Sequence, residues 1–185
     1  QRAVGFTMPF YEYMQWPGMD LLCDQVNELT TAKQVSSVAS QLGKERVLSE
    51  CYGCTGWDWP LEGHKFLGDW QFAAGVNFRN HHLTHYSLAG GGKRDYPASI
   101  IDHSPWWKYY RTVEEYFARL TVLVTSGAPL RDVLVIHPQE TAWGEYATAT
   151  NKQHDLARQL EERLENVIYA LSGEHYDWDF AAENL

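Results

Sequence analysis

Glu50 closes a short apolar segment and is the first residue whose placement suggests chemistry. The segment runs Arg-Val-Leu-Ser-Glu over 46–50, and glycines and a proline punctuate the loop that follows it. Val47 and Leu48 predict a buried strand. A carboxylate at the end of a buried parallel strand is costly unless it faces a cavity or a partner, and in α/β barrels the active site opens there. We therefore predict that Glu50 is catalytic, with pairing to an arginine as the alternative.

Aromatic and imidazole side chains are concentrated downstream of Glu50. Aromatic rings on loops suit the C–H faces of sugars, and imidazoles hydrogen-bond sugar hydroxyls, although either ring type also fills protein cores. Two further carboxylates, Glu12 and Asp20, lie in an aromatic N-terminal stretch and are candidates for substrate contact or for a solvated loop. The concentration of rings favours a carbohydrate ligand. Its members are Tyr52, Trp57, Trp59, Trp70, His81, His82, His85 and Tyr86.

Metal, redox and phosphate chemistry fit the spacing less well. Three histidines within 81–85 lack a nearby carboxylate at a usual metal-ligand spacing. Cys51 and Cys54 form a C-x-x-C pair, but no second pair completes a zinc site, so two small buried residues are favoured over a redox pair. The triple glycine at 90–92 lacks the spacing of a phosphate-binding Walker loop. We predict no metal and no cofactor.

Composition narrows the function classes. The 185 residues carry a formal net charge of −9 and include 14% aromatic side chains, with eight Trp and eleven Tyr. No basic stripe is available to neutralise phosphates, so nucleic acid is not an expected partner. No apolar run approaches the roughly 20 residues that span a bilayer, so we expect a soluble protein with no membrane partner, in a compartment that the sequence leaves open. Because the chain starts at Gln1 rather than Met, we interpret it as an excerpt of a longer protein.

Hydrophobic periodicity predicts the elements that must position these side chains. Helices are expected over 31–42, 104–124 and 151–171, with a short one over 70–75. Strands are expected over 19–22, 47–50, 76–78 and 130–136, and loops over 51–69 and 139–148. A helix followed by a glycine, a basic turn and an apolar strand is one step of a barrel or a doubly wound sheet. Because the strand at 130–136 precedes another long helix, a new sheet is expected to begin near 128–132.

Several segments resemble large TIM-barrel glycoside hydrolases. The similarity is greatest to the α-L-rhamnosidase-type enzymes of family 106 and more distant to the family 42 β-galactosidases. It covers most of the chain, in segments that are individually short. They are Lys33–Ala39, Ser49–Gly53, Gly75–Asn77, His82–Ser87, Arg94–Pro97, Trp106–Trp107, Asp132–Pro138 and Tyr176–Glu183.

This resemblance implies an α/β fold in two parts. Residues 1–129 would be the C-terminal part of a (β/α)8 barrel carrying the catalytic face, and residues 130–185 the start of a flavodoxin-like α/β domain that offers a surface for oligomerisation. The Glu50 strand would be near the seventh of the barrel and the strand at 76–78 near the eighth. Glu50 would be the nucleophile or the general base. The partner general acid would lie upstream of Gln1.

The resemblance also implies the substrate and its contacts. Such enzymes cleave glycosidic bonds with paired carboxyl groups through an oxocarbenium-like transition state. The alternative is a non-catalytic carbohydrate-binding or structural module of the same barrel, in which Glu50 only binds ligand or pairs with Arg94. The implied hydroxyl-binding or Glu50-steering residues are Asn77, His82, His85 and Tyr86, the stacking platforms are Trp57, Trp59 and Trp143, and Glu12 and Arg94 complete the candidate set.

Overall fold

The computed structural model describes residues 6–94, 99–147 and 151–183. Residues 95–97, which belong to one of the segments of resemblance, lie outside these ranges. The helices are α1 Met8–Glu12, α2 Leu29–Gln41, α3 Leu61–Ala73, α4 Trp107–Thr125, α5 Gln139–Ala147 and α6 Asn151–Gly173. The strands are β1 Gly18–Leu22, β2 Leu48–Gly53, β3 Phe78–His81, β4 Val133–Ile136 and β5 Trp178–Ala181.

The first sheet is three-stranded and parallel, in the order β1-β2-β3. Helices α2 and α3 connect its successive strands, as parallel pairing requires. Met19 and Leu21 of β1 and Ser49 and Cys51 of β2 are buried in alternation with more exposed residues. One face of this sheet therefore carries the core, and the other face does not.

The second sheet pairs β4 with β5 in parallel register. Trp178 and Phe180 of β5 are fully buried, whereas Leu134 and Ile136 of β4 are exposed. Helix α2 packs against β5: the Gln41 amide donates a hydrogen bond of 2.7 Å to the β5 backbone, and the Ser37 hydroxyl accepts one of 2.8 Å. The same helix also packs against β1, so α2 serves both sheets.

Close helix packing explains one error of the sequence prediction. Residues 51–69 were expected to be a loop followed by a short helix, but α3 occupies 61–73. Gly68 is central to this helix, because a Cβ there would lie 2.2 Å from the Phe117 ring on α4. The glycine weakens the helical sequence signal and at the same time lets α3 approach α4. The predicted loop at 139–148 is likewise wrong, since α5 covers 139–147.

Most other predicted elements are confirmed with shifted ends. The predicted helices at 31–42, 104–124 and 151–171 correspond to α2, α4 and α6. The strand expected at 76–78 begins later, at Phe78, and runs to His81. The molecule is of mixed α/β class, and its strands within the described ranges form sheets of three and two rather than a closed eight-stranded barrel. None of the helices described is long and apolar enough to cross a membrane.

Candidate active site

A row of three polar side chains crosses the first sheet. Asp20 of β1 is the register partner of Glu50 of β2, and Glu50 is the register partner of Asn80 of β3. Neighbouring strands lie about 4.8 Å apart, and register partners project from the same face of a sheet. The three side chains are therefore adjacent, with Glu50 in the middle.

This row lies on the face of the sheet that is not packed into the core. Asp20 and Asn80 are exposed, and Glu50 is half-buried. The opposite face is covered, and residues Arg79 and His81, which flank Asn80 in β3, there reach Glu114 of α4. A ligand could consequently approach the row from solvent, in front of the sheet, with the helices behind it.

The carboxylates of the row lack a cationic partner. Across the ranges that the structure covers, no ion pair joins Asp20 or Glu50 to a lysine or arginine. Partial burial and the neighbouring charge of Glu50 raise the pKa of Asp20, and His82 opposes that shift. Asp20 is thus within electrostatic reach of both Glu50 and His82.

Strand β2 ends irregularly just beyond Glu50. Tyr52 has φ of +72° and Cys54 has φ of +62°, both unusual for residues other than glycine. Two hydrogen bonds hold this end in place: the Cys23 amide donates to the Gly53 carbonyl at 2.7 Å, and the His82 amide donates to the Cys51 carbonyl at 2.9 Å. His82 is therefore fixed beside the carboxyl end of β2.

Trp57 and His85 form a stacked pair in the loops that follow β2 and β3. Their ring centroids are 6.3 Å apart with an interplanar angle of 16°. Trp57 is 39% exposed, while His85 is buried and neither of its ring nitrogens has a hydrogen-bond partner among the residues described. The backbone amide of His85 is held by the Ser99 hydroxyl at 3.0 Å. The exposed indole, backed by the imidazole, is a suitable surface for stacking a sugar.

Two sequence-predicted site residues lie elsewhere. The Asn77 side chain accepts a hydrogen bond from the Val47 amide at 2.9 Å and donates to the Glu45 carbonyl at 3.1 Å. These groups precede β2 and β3, so Asn77 secures the amino ends of the strands. The Glu12 carbonyl accepts from Lys44, in the turn before β2. The structure does not bring Asn77 or Glu12 to the Glu50 row.

The remaining candidates are spread over the loops. Trp59 packs over Gly63 at the start of α3, and its indole nitrogen is buried with no hydrogen-bond partner in the described part of the chain. The Tyr86 side chain is fully exposed. Arg94 is exposed in a single 3₁₀ turn at 92–94, and the described contacts include no ion pair between Arg94 and Glu50.

A charged network that sequence reasoning missed lies behind the row. Arg79 donates to Glu114 at 2.8 Å and to the Tyr52 hydroxyl at 2.7 Å. His81 contacts the same Glu114 oxygen at 3.1 Å. Although burial opposes ionisation of Glu114, the bonds from His81 and Arg79 outweigh it and lower the pKa of Glu114 to about 2. Arg79 and His81 are two residues apart in β3, so their side chains lie on the same face of the strand. This spacing was the sequence signal for the network.

The cysteines are free thiols. Cys51 is fully buried, and burial raises the pKa of its thiol to about 12, so it is not a thiolate at neutral pH. Cys23 donates a weak hydrogen bond to the Cys54 carbonyl at 3.3 Å. Within the ranges described, no group of three or more His, Cys, Asp or Glu residues is arranged to hold a metal ion.

A cavity of about 230 Å³ lies at the other sheet, beyond the ends of β4 and β5. Phe6 and Trp143 form part of its wall, together with His137 and the carboxyl groups of Glu140 and Glu183. A hydrogen bond between these two carboxyl groups raises the pKa of Glu183. Trp143, an expected sugar platform, thus lies in this cavity rather than beside Glu50.

Comparison with solved structures shows a similarity to a rhamnosidase. The structure of a rhamnosidase from Novosphingobium sp. PP1Y matches with a TM-score of 0.61 and 21% sequence identity. The fold is similar to that of one segment of a rhamnosidase. The match covers 70% of this chain and 14% of that chain. No family model matches the sequence, and no curated protein does.

Proposed function

We propose that this chain forms part of the catalytic face of a glycoside hydrolase, with Glu50 as nucleophile or general base. The observation that carries the proposal is the row Asp20, Glu50 and Asn80, which lies on the face of a parallel sheet that is not packed into the core. Among the residues that the structure describes, neither carboxylate of the row forms an ion pair. An unpaired carboxylate that is partly removed from water is unfavourable for stability alone, so its presence favours a functional role. The similarity to a rhamnosidase segment supports the same class of enzyme.

The reaction would use the groups of the row as follows. The Glu50 carboxylate attacks the anomeric carbon, or takes a proton from the water that attacks it, while a second carboxyl group protonates the departing glycosidic oxygen. That acid would be a carboxyl group on another strand of the barrel. Asp20 and Asn80 flank Glu50 and would bind hydroxyls of the same sugar ring, Asp20 as acceptor and Asn80 as donor or acceptor.

Loop residues would complete the carbohydrate site. His82 lies within electrostatic reach of Asp20 and can donate to a hydroxyl or steady the carboxylates. Trp57, backed by His85, would stack on the C–H face of the sugar. In this scheme residues 1–129 carry the site, and residues 130–185 belong to a flavodoxin-like domain that contributes to oligomerisation.

A non-catalytic carbohydrate-binding or structural module is the second candidate. It is favoured by the extent of the structural match, which covers 14% of the rhamnosidase chain and so leaves most of such an enzyme outside the matched segment. In that case the row would bind hydroxyls without cleaving a bond. The two candidates differ in whether Glu50 is needed for turnover or only for binding.

Hydrolysis of a panel of aryl glycosides, including rhamnosides and galactosides, separates these candidates. The protein in its natural full length is compared with its Glu50→Gln variant and with Glu161→Gln, a matched change at an exposed position of α6. For an enzyme, Glu50→Gln should lower turnover of the cleaved glycoside at least about a thousandfold, roughly 4 kcal/mol of transition-state stabilisation, while Glu161→Gln has no effect. Retained turnover in Glu50→Gln would refute the catalytic role. Sugar binding without turnover in any of the three proteins would favour the module.

A further inference from the structure

Strand β2 contains one extra residue directly after Glu50. Asp20 pairs with Glu50, but two residues later Leu22 pairs with Gly53, so β1 advances by two residues while β2 advances by three. This is the register of a β-bulge, and bulges beside active sites commonly re-aim a side chain. The residues inside the bulge are Cys51 and Tyr52.

The bulge moves the Tyr52 ring away from the site. In a regular strand, residues two apart share a face, so Tyr52 would project beside Glu50 into the space in front of the row. Instead Tyr52 has φ of +72° and a fully buried side chain. A non-glycine residue keeps such a backbone conformation only when its surroundings hold it, and residues of this kind concentrate at functional sites.

Two hydrogen bonds hold the ring behind the sheet. Arg79 donates to the Tyr52 hydroxyl at 2.7 Å, and that hydroxyl donates to the His64 carbonyl at 3.1 Å. Arg79 is itself fixed, because it pairs with Glu114 at 2.8 Å and its guanidinium lies 3.8 Å from the centre of the Phe117 ring. The Tyr52 hydroxyl, Arg79 and Glu114 together form an anchor. This anchor connects the bulge in β2 to β3, α3 and α4.

We propose that Tyr52 is a positioning residue: its anchored hydroxyl keeps the bulge in place, which leaves the front of the row open to substrate and sets the direction of the Glu50 carboxylate. This inference rests on the proposed function, since it assigns Tyr52 a role through Glu50. Tyr52 itself is out of reach of the substrate, behind the sheet. Loss of its hydroxyl should therefore affect the rate of reaction more than the binding of substrate.

The test compares Tyr52→Phe with Tyr116→Phe in the full-length protein. Tyr116 also donates a hydrogen bond through its hydroxyl, to Asp69 at 2.8 Å, but the contacts described do not join that hydroxyl to β2 or to Arg79. Tyr52→Phe should lower kcat about tenfold with KM changed less than about twofold, and Tyr116→Phe should leave both unchanged. In the Glu50→Gln background, Tyr52→Phe should cause no further loss of the residual turnover, because residues that act through one another are non-additive.

Each result bears on one proposal. If Glu50→Gln retains turnover, the proposed function fails, whatever Tyr52→Phe does. If Glu50→Gln loses turnover but Tyr52→Phe equals the unmodified protein, or causes the same loss in both backgrounds, the positioning role is refuted. If Tyr52→Phe does not fold, Glu114→Gln replaces it, since it weakens the anchor through Arg79 at a half-exposed position. It should lower kcat about threefold with the same non-additivity, and an additive loss would overturn the inference.

Discussion

The two sheets use their carboxylates in opposite ways. Beside and within β5, Asp177 pairs with Lys33 at 2.8 Å and with Arg131 at 3.0 Å, and Asp179 pairs with Arg131 at 2.7 Å. In the first sheet, Asp20 and Glu50 stand side by side, and none of the ion pairs described involves either of them. Both sheets are parallel and packed on α2, so topology does not explain the contrast.

The contrast separates carboxylates that hold the fold together from carboxylates that are available for chemistry. Lys33 is buried on α2, so its pair with Asp177 ties that helix to the segment leading into β5. Burial lowers the pKa of Lys33, and the bond to Asp177 opposes this effect. The charges of the second sheet are therefore compensated. Those of the first sheet have no such ion pair among the described residues.

The largest expected effect on stability is a pH dependence that involves both sheets. Burial, aided by His81 and Arg79, lowers the pKa of His64 to about 4, and burial lowers the pKa of His137 to about 4. Since an unfolded histidine titrates near 6.5, the unfolded chain takes up protons first as the pH falls. The free energy of unfolding should decrease between pH 6.5 and about 4, by roughly 3 kcal/mol for His64 alone.

Urea unfolding at several pH values between 4 and 7 measures this dependence. His64→Gln and His137→Gln should each reduce the dependence of the free energy of unfolding on pH in that window. The two reductions would assign one part of the dependence to α3, behind the first sheet, and the other part to the end of β4. An unchanged slope in His64→Gln would show that folding does not lower the pKa of this imidazole, and would contradict the prediction. His103→Gln, at an exposed histidine, serves as the control.

The second largest expected effect on stability concerns the carboxylates that pair with Arg131. Asp179→Asn leaves Arg131, whose side chain is only 10% exposed, with one carboxylate instead of two. Removing one partner of a buried pair is strongly destabilising, and with Asp177 retained we expect a loss of about 2 to 3 kcal/mol in the free energy of unfolding. Turnover per folded molecule should be unchanged. A stability loss below about 0.5 kcal/mol would mean that the pairing contributes little and would weaken the contrast between the sheets.

The sequence predicted single elements better than the relations between them. The apolar run before Glu50 identified β2, because buried strands are read directly from such runs. Asp20 lies beside Glu50 because of the register between β1 and β2, which the sequence of a single strand does not determine. Alternation would place Tyr52 beside Glu50, but the bulge reverses its side. The resemblance implied that Asn77 binds hydroxyls or steers Glu50, yet its side chain binds the backbone at the other end of the strands.

The smallest expected effect is that of Glu50→Gln on stability. Glu50 has no ion pair among the residues described, and its charge raises the pKa of Asp20 beside it. Replacing it by a neutral amide removes this repulsion, so the free energy of unfolding should stay within about 0.5 kcal/mol or rise slightly. Urea unfolding at pH 7 beside Asp179→Asn measures the difference. A loss above about 1 kcal/mol, well outside the range for an uncompensated surface charge, would make Glu50 a structural residue like Asp179 and remove the distinction between the two sheets.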